Sequence, residues 1–224
     1  SSYFYKKDTI DLINSAITKK GNFLPNEQIS IVQRETKQRG IIGLEYGSYL
    51  HQEISGKKPI TVLIPGMMAS TLSENGDLLW IDYTDFLKRR LLDMTIDKSF
   101  DIDGVLSTPY EKFCKYLIRN GHDVYTIPYD WRQSYDSQMD DVKKHIEIIL
   151  NTRNNQPIRV LTHSKGGLIF RHFCSRHYDL YKQLSESKDF RWIMFGTPWY
   201  GSYATVKTLI GQSKTLKNLR MCSV

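Results

Sequence analysis

The run from Val160 to Leu168 constrains the fold of this chain more than any other feature. It reads Val-Leu-Thr-His-Ser-Lys-Gly-Gly-Leu, so an apolar stretch stops at Thr162, and two glycines follow the Ser164-Lys165 pair where a helical pattern begins. This order predicts a nucleophile elbow, a sharp strand-to-helix turn that lifts the hydroxyl of Ser164 clear of the backbone. Such a turn needs small residues two positions either side of the serine, because the backbones approach closely. Gly166 meets that need, whereas Thr162 stands where glycine is commonest, and a plain strand-to-helix loop is the alternative reading.

A second apolar segment precedes the serine by about a hundred residues. Ile60 to Ile64 reads as a buried strand, and Pro-Gly-Met-Met-Ala-Ser follows it directly. In a hydrolase with a nucleophile elbow, the turn after an earlier strand supplies one backbone N–H of the oxyanion hole, and the residue after the nucleophile supplies the other. Met67 and Lys165 are the candidates for these two N–H groups. A Pro-Gly pair that simply ends a strand is the alternative.

Two further motifs follow strand-like segments. Pro-Tyr-Asp-Trp-Arg at 128–132 follows Asp123 to Ile127, and Gly-Thr-Pro-Trp-Tyr-Gly-Ser at 196–202 follows Phe190 to Phe195. With the two motifs above, and in this order, they resemble the lecithin:cholesterol acyltransferase family, which also contains the lysosomal phospholipase A2 and the phospholipid:diacylglycerol acyltransferases. The resemblance extends from about Lys58 to Ser202, and Pro-Tyr-Asp-Trp-Arg is its most specific element.

The resemblance implies an α/β-hydrolase fold, with a mostly parallel sheet flanked by helices. It implies serine-dependent acyl transfer or ester hydrolysis, with Ser164 as the nucleophile and the N–H groups of Met67 and Lys165 as the oxyanion hole. The expected substrate is a phospholipid or other lipid ester, contact with a membrane surface is possible, and neither a cofactor nor a metal is expected. A secreted, lysosomal, vacuolar or membrane-associated location follows from the resemblance alone. The resemblance also suggests that Asp130 to Arg132 support the site and that Trp199 lines an acyl pocket.

The catalytic triad is incomplete in the order that this fold uses, which is serine, then acid, then histidine. After Ser164 the chain has three acids, but no histidine follows any of them. His163 is expected to pack beneath the elbow, and a Ser-Lys dyad through Lys165 has poor geometry. We expect the acid and the histidine beyond this chain, with the hydrolase domain ending after about the sixth strand. The alternatives are a non-catalytic paralogue that binds lipid or a protein partner, a general carboxylesterase or thioesterase, and an enzyme with an unusual base.

The coarse organisation is an N-terminal extension of uncertain structure over 1–55, then a partial hydrolase domain over 56–224 with an insertion at about 71–107. In the insertion, Trp80 and its apolar neighbours favour either contact with a lipid interface or a helix packed on the sheet. Three amphipathic helices are predicted, one opened by a capping box at Thr108 and ended by Gly121, one over Met139 to Leu150, and one from Gly166 to about His177. A short helix at Asp8 to Ile17 and loops or a short hairpin at Gly40 to Gly47 are also predicted.

Composition excludes some classes of function. The net charge is +7, but the lysines and arginines are scattered and form no nucleic-acid-binding motif, so a solvated surface or attraction to anionic lipid explains them better. No apolar run approaches the length of a membrane span. Cys114 and Cys174 fall on apolar helical faces and are predicted core residues.

Overall fold

The computed structural model describes residues 48–80 and 93–213. These ranges contain eight strands and five α-helices. The strands are β1 (Ser48–Tyr49), β2 (Ile60–Ile64), β3 (Ser70–Glu74), β4 (Asp77–Trp80), β5 (Asp101–Leu106), β6 (Asp123–Thr126), β7 (Ile158–His163) and β8 (Arg191–Phe195). The helices are α1 (Ser107–Arg119), α2 (Met139–Thr152), α3 (Lys165–Arg176), α4 (Tyr178–Ser185) and α5 (Tyr203–Leu209), and a 3₁₀ helix (Asp136–Gln138) precedes α2.

A four-stranded parallel sheet forms the centre of the fold. Its strand order is β6-β2-β7-β8, and neighbouring strands pair in parallel, for example Leu63 with Leu161 and Leu161 with Ile193. The apolar segments that the sequence predicted as strands form this sheet, so the prediction of an α/β class with a parallel sheet is confirmed. Because all four strands run in one direction, their carboxyl ends meet at one edge, where β2 and β7 lead into the Pro65 turn and Ser164.

Helices cover both faces of the parallel sheet. On one face, α2, α3 and α4 pack on the side chains of β2 and β7, including Val62 and Val160, which are fully buried. On the other face, α1 packs through Tyr110, Phe113, Cys114 and Leu117 against Leu63, Val124 and Leu161. The predicted amphipathic faces of α1 and α2 are confirmed, as is the burial of Cys114 and the contact of Cys174 with the core.

The insertion forms a second sheet, whereas the sequence analysis predicted either contact with a lipid interface or a helix packed on the sheet. Strands β1, β5, β3 and β4 form an antiparallel sheet in that order, so the segment around Trp80 is the second arm of a hairpin and not a helix. The turn is Asn75-Gly76, with φ of +54° and +80°. Asn-Gly between two strand-forming segments is a strong hairpin signal that the sequence analysis missed. Trp80 is 6% exposed, which leaves its ring unavailable to a lipid interface in this conformation.

The start of α1 also differs from the prediction. The helix begins at Ser107 with Leu106 at the N-cap position, so Thr108 lies inside the first turn and does not open a capping box. The predicted end is confirmed, because α1 stops at Arg119 and Gly121 follows with φ of +81°. Helix α3 begins at Lys165, one residue before the predicted start.

Residues 48–55, which the sequence analysis assigned to the extension, are bonded to the sheets. Strand β1 pairs with β5, and Ser55 donates from its N–H and its hydroxyl to the carboxylate of Asp123, at 2.7 and 2.8 Å. The predicted helix at Asp8 to Ile17, the segment Gly40 to Gly47, residues 81–92 of the insertion and residues 214–224 lie outside the described residues. Within the described ranges, no helix combines the length and the apolar character that a membrane crossing requires.

Candidate functional site

Ser164 occupies the junction between a strand and a helix. Strand β7 ends at His163 and α3 begins at Lys165, so Ser164 is the helix N-cap, with φ of +50° and ψ of −122°. Side chains other than glycine rarely adopt such a positive φ, so the surrounding structure must hold it. The Ser164 N–H donates to the carbonyl of Phe195 at 2.8 Å, and the Ser164 carbonyl accepts from Gly167 at 3.1 Å. The predicted strand, sharp turn and helix are therefore all present around this serine.

Glycines let the turn after β2 lie directly against Ser164. A Cβ on Gly166 would overlap the carbonyl oxygens of Pro65 and Ile64, the second at 2.6 Å. A Cβ on Gly66 would lie 2.9 Å from Nδ1 of His163 and 3.2 Å from Cβ of Ser164. The backbone that leads into Met67 therefore lies in van der Waals contact with the serine. The close approach that the sequence analysis expected at Gly166 is present.

Thr162 has a partner that explains its presence in place of the commoner glycine. Its side chain is fully buried, and its Oγ1 accepts a hydrogen bond from Nε1 of Trp192 at 3.1 Å. Trp192 lies opposite Val160 on the adjacent strand β8, so the bond joins the two strands just below Ser164. The Thr162 hydroxyl is thus the hydrogen-bond acceptor of the partly buried indole N–H of Trp192. A glycine at position 162 would not provide this acceptor.

The turn that contains Met67 accepts hydrogen bonds from two other segments. Nε1 of Trp80 donates to the carbonyl of Met68 at 2.9 Å, and Nε1 of Trp131 donates to the carbonyl of Ser70 at 3.2 Å. The Tyr129 N–H donates to Oγ of Ser70 at 3.0 Å. Met68 itself has a φ of +59°, another backbone conformation that needs such support. Two of these three donors come from the Pro-Tyr-Asp-Trp-Arg motif.

Asp130 and Arg132 hold that motif in its shape. The guanidinium of Arg132 donates from Nε to Oδ1 of Asp130 at 3.0 Å and from Nη2 to Oδ2 at 2.5 Å, and both side chains are largely buried. Arg132 also donates to the carbonyls of Thr95 and Lys98, at 2.6 and 2.9 Å, and lies over the ring of Phe100. The pair therefore ties the motif to the segment before β5.

Lys165 directs its side chain toward the same motif. Its Nζ donates to the carbonyl of Trp131 at 2.8 Å and lies 5.3 Å from the ring centre of Tyr135. Burial lowers the pKa of this ammonium, and the carboxylate of Asp130 opposes that shift. The backbone N–H of Lys165 is the first of α3, and N–H groups in a first helical turn have no intrahelical acceptor. Its side chain is thus engaged in the scaffold, while its N–H lies at the positive end of the helix dipole.

His163 is bonded on the α1 side of the sheet. Its Nδ1 lies 2.8 Å from the hydroxyl of Tyr110, a fully buried residue of α1. Burial lowers the pKa of His163, so the neutral ring is favoured. The ring therefore contacts Tyr110 beneath the turn, where the sequence analysis expected it.

A histidine–carboxylate pair that the sequence analysis missed lies further along α3. Nε2 of His172 is 2.9 Å from Oδ1 of Asp136, in the 3₁₀ helix before α2, and this bond lowers the pKa of Asp136. His172 is eight residues beyond Ser164, which places it about 12 Å along the helix axis. The pair lies beside an open pocket of about 270 Å³ lined by Tyr135, Leu168, Arg171, His172 and Ser175. At that distance His172 cannot accept the proton of Ser164.

Trp199 lies at the surface in the loop after β8. It is 40% exposed, the guanidinium of Arg171 lies 5.0 Å from its ring centre, and its ring is 6.4 Å from that of Trp192. Leu168 is only partly buried and lines the pocket beside α3. Across the described ranges, His, Cys, Asp and Glu side chains form no group of three or more that suits a metal ion.

Comparison with known proteins identifies the family. The model of the family described as lecithin:cholesterol acyltransferase matches residues 94–223, more than half of the chain. The chain is also similar to lecithin-cholesterol acyltransferase-like 4 of Arabidopsis thaliana, with 30% identity over 97 residues. That match covers 42% of this chain and 17% of the Arabidopsis protein, so the chain corresponds to a small part of that relative. On the extent of the family match, this chain belongs to the lecithin:cholesterol acyltransferase family.

Proposed function

We propose that this protein is a serine-dependent lipid acyltransferase or phospholipase with the α/β-hydrolase fold, and that Ser164 is its nucleophile. The observation that carries the proposal is the backbone of Ser164, held at φ of +50° between β7 and α3 and in contact with the turn after β2. A strained serine at the carboxyl edge of a parallel sheet, ahead of a helix N-terminus, is the arrangement in which α/β-hydrolases present their nucleophile to an ester. The family membership supports the same chemistry on lipid substrates.

The reaction follows from the groups around the serine. The Ser164 hydroxyl oxygen attacks the ester carbonyl carbon, and a histidine base takes the hydroxyl proton. The N–H groups of Met67 and Lys165 donate to the oxyanion of the tetrahedral intermediate, since they flank the serine from the β2 turn and from α3. The intermediate collapses as the histidine returns the proton to the departing alcohol. Water or a lipid alcohol then accepts the acyl group from Ser164 by the same steps.

The base is the part of this mechanism that the described contacts do not supply. All six histidines of the chain lie in the described ranges, and among the hydrogen bonds of those ranges none joins a histidine to the Ser164 hydroxyl. His163 is bonded to Tyr110, and His172 is paired with Asp136. We therefore propose that the acid and the histidine of the triad are contributed by polypeptide outside these 224 residues.

The proposed substrate is a phospholipid or a related lipid ester presented at a membrane surface. The net charge of +7 favours approach to a surface that carries anionic lipid. The net charge does not select the acyl acceptor, so hydrolysis and acyl transfer are distinguished by their products.

The test uses the protein expressed from its complete reading frame. We expect it to release fatty acid or to form acylated lipid in phosphatidylcholine vesicles that contain a long-chain alcohol acceptor. Ser164→Ala abolishes that turnover, whereas Ser175→Ala, at an exposed position of the same helix, retains it. Cleavage of a soluble short-chain ester without any turnover of vesicles would favour a general carboxylesterase. A folded protein that leaves both substrates intact would contradict the proposal and favour a non-catalytic lipid or protein binder.

A further inference from the structure

Two buried tyrosines hold the two polar groups of a single peptide bond. The hydroxyl of Tyr129 donates to the carbonyl of Pro65 at 3.1 Å, and the hydroxyl of Tyr110 accepts from the N–H of Gly66 at 3.0 Å. This carbonyl and this N–H belong to the planar peptide group between Pro65 and Gly66. Both tyrosine side chains are fully buried, and they come from segments far apart in sequence, α1 and the Pro-Tyr-Asp-Trp-Arg motif. The plane of that peptide group is therefore fixed at both of its ends.

We propose that Tyr110 and Tyr129 are positioning residues that orient the backbone N–H of Met67 toward the oxyanion. This inference rests on the proposed function, in which that N–H is an oxyanion donor. Once the plane of the Pro65–Gly66 peptide group is fixed, only φ and ψ of Gly66 separate it from the Met67 N–H. Glycine is the residue with the widest choice of these angles, so the donor needs restraint from its neighbours.

The restraint acts from both sides of Met67. Before it, the tyrosines fix the Pro65–Gly66 peptide group, and after it, the indole of Trp80 fixes the carbonyl of Met68 at 2.9 Å. An oxyanion donor is effective only when its direction is set before the charge develops, because reorientation during the reaction costs free energy. The arrangement leaves the Met67 N–H between two immobilised groups while its side chain is half exposed.

Tyr110 also sets the distance between the donor and the serine. Its hydroxyl, which accepts from Gly66, lies 2.8 Å from Nδ1 of His163, the residue before Ser164. A hydroxyl can accept one hydrogen bond and donate another, so Tyr110 can donate to the neutral ring of His163. Burial raises the pKa of both tyrosines and keeps their hydroxyls protonated. One side chain thus links the turn after β2 to the elbow.

The chain provides a matched control for this inference. Tyr125 is also buried, and its hydroxyl also contacts the Nδ1 of a histidine, His145, at 3.1 Å. Tyr125 lies on β6, and its hydroxyl does not contact the turn after β2. Tyr125→Phe therefore removes the same hydroxyl and the same kind of bond without touching the oxyanion turn.

The experiment measures kcat and KM of the protein from the complete reading frame with a soluble ester. Loss of one oxyanion donor lowers kcat by about 100- to 1,000-fold in other hydrolases, so misdirection of the Met67 N–H predicts a decrease of roughly tenfold or more. We expect this decrease in Tyr110→Phe and in Tyr129→Phe, with KM changed by less than about twofold. Tyr125→Phe keeps the parent kcat. Equal effects of all three substitutions, or changes confined to KM, would overturn the inference.

A second measurement separates this inference from the proposed function. The backbone amide resonance of Met67 in an isotope-labelled protein is sensitive to the backbone angles and surroundings of its N–H, and it is measured without any turnover. Tyr110→Phe and Tyr129→Phe should shift it, and Tyr125→Phe should not. An unshifted Met67 resonance would overturn the inference even in an active enzyme. If the parent protein turns over no ester, the proposed function fails, and the Met67 resonance alone decides whether the tyrosines hold that N–H.

Discussion

At the scale of single residues, the site is built from close backbone approaches that few residue types allow. Gly166 faces the carbonyl oxygens at the end of β2, and Gly66 faces His163 and Ser164. The need for Gly166 was predictable from the serine motif, because an elbow requires small residues around it. The presence of threonine at position 162 was not predictable, because its partner Trp192 lies on a neighbouring strand thirty residues later. Local sequence shows the requirement for space but not which distant side chain satisfies a hydroxyl.

Gly166→Ala tests the close approach directly. The added Cβ would overlap two backbone oxygens that cannot move without displacing β2. Overpacking of this kind costs about 1–3 kcal/mol, so we expect the free energy of unfolding to fall by that amount in urea denaturation. Ser175→Ala, on the exposed side of α3, should change it by less than about 0.5 kcal/mol. Equal stability of the two variants would contradict the contact between α3 and the turn after β2.

His122 makes the stability depend on pH. Burial, reinforced by the nearby Arg159, lowers its pKa from 6.5 to about 4, and its Nδ1 is bonded to the hydroxyl of Thr61. The unfolded chain therefore binds a proton that the folded chain does not bind between about pH 4 and pH 6.5. The contribution of the neutral His122 ring to the free energy of unfolding is therefore present above about pH 6.5. It is lost as the pH falls from 6.5 towards 4.

The measurement compares urea denaturation at pH 7 and pH 5. Each unit of pKa shift corresponds to about 1.4 kcal/mol, and after allowance for solvent screening we expect about 1–2 kcal/mol of the lost stability to arise from His122. His122→Gln should reduce the difference between the two pH values by that amount. The remaining difference includes His145 and His163, whose pKa values burial also lowers. If His122→Gln leaves the stability difference between pH 7 and pH 5 unchanged, His122 is not a source of the pH dependence.

At the scale of elements, the Pro-Tyr-Asp-Trp-Arg motif holds the turn after β2 in place through hydrogen bonds. Tyr129 and Trp131 bond to that turn, and Asp130 and Arg132 fix the motif itself. The sequence analysis predicted a supporting role for Asp130 to Arg132, but it gave no role to Tyr129. The contacts join segments about sixty residues apart, a separation at which sequence patterns carry no distance information.

Arg132→Met tests this element. It leaves the carboxylate of Asp130 buried without its partner, and loss of one partner of a buried pair costs about 3–5 kcal/mol. Thermal and urea denaturation should both show the loss. The control is Lys144→Met, which removes the exposed pair with Asp141 and should cost less than about 1 kcal/mol. A similar, small effect of both substitutions would show that Arg132 does not hold the motif in place.

The antiparallel sheet shows why one element was predicted wrongly. The apolar residues around Trp80 suit a helix, a lipid interface or a strand equally well by composition, so the turn decides between them. Asn75-Gly76 favours a strand, because two consecutive residues at positive φ form the tight turn of a β-hairpin. The capping box at Thr108 failed for a different reason: β5 continues to Leu106, and α1 follows it without a loop.

At the scale of the whole molecule, the parallel sheet brings the motifs together at one edge. The α/β class with a mostly parallel sheet was predicted from apolar segments that alternate with amphipathic ones, and the flanking helices were predicted from the family resemblance. The four motifs lie dispersed in sequence, but three of them meet around Ser164 because β2, β6 and β7 end at the same edge. The fourth follows β8, where Phe195 accepts the N–H of Ser164. The order of the motifs indicated the family, whereas the individual hydrogen bonds depend on packing that the order does not specify.

The most direct test of Ser164 as an activated nucleophile is covalent labelling by a fluorophosphonate, located by mass spectrometry of the peptide that contains it. With the protein from the complete reading frame, the account predicts one adduct on Ser164, absent in Ser164→Ala and unaffected in Ser175→Ala. The phosphonate binds where the tetrahedral intermediate would, so its reaction requires both the nucleophile and the oxyanion hole. A folded protein in which Ser164 remains unlabelled, whether or not other serines react, would contradict the account.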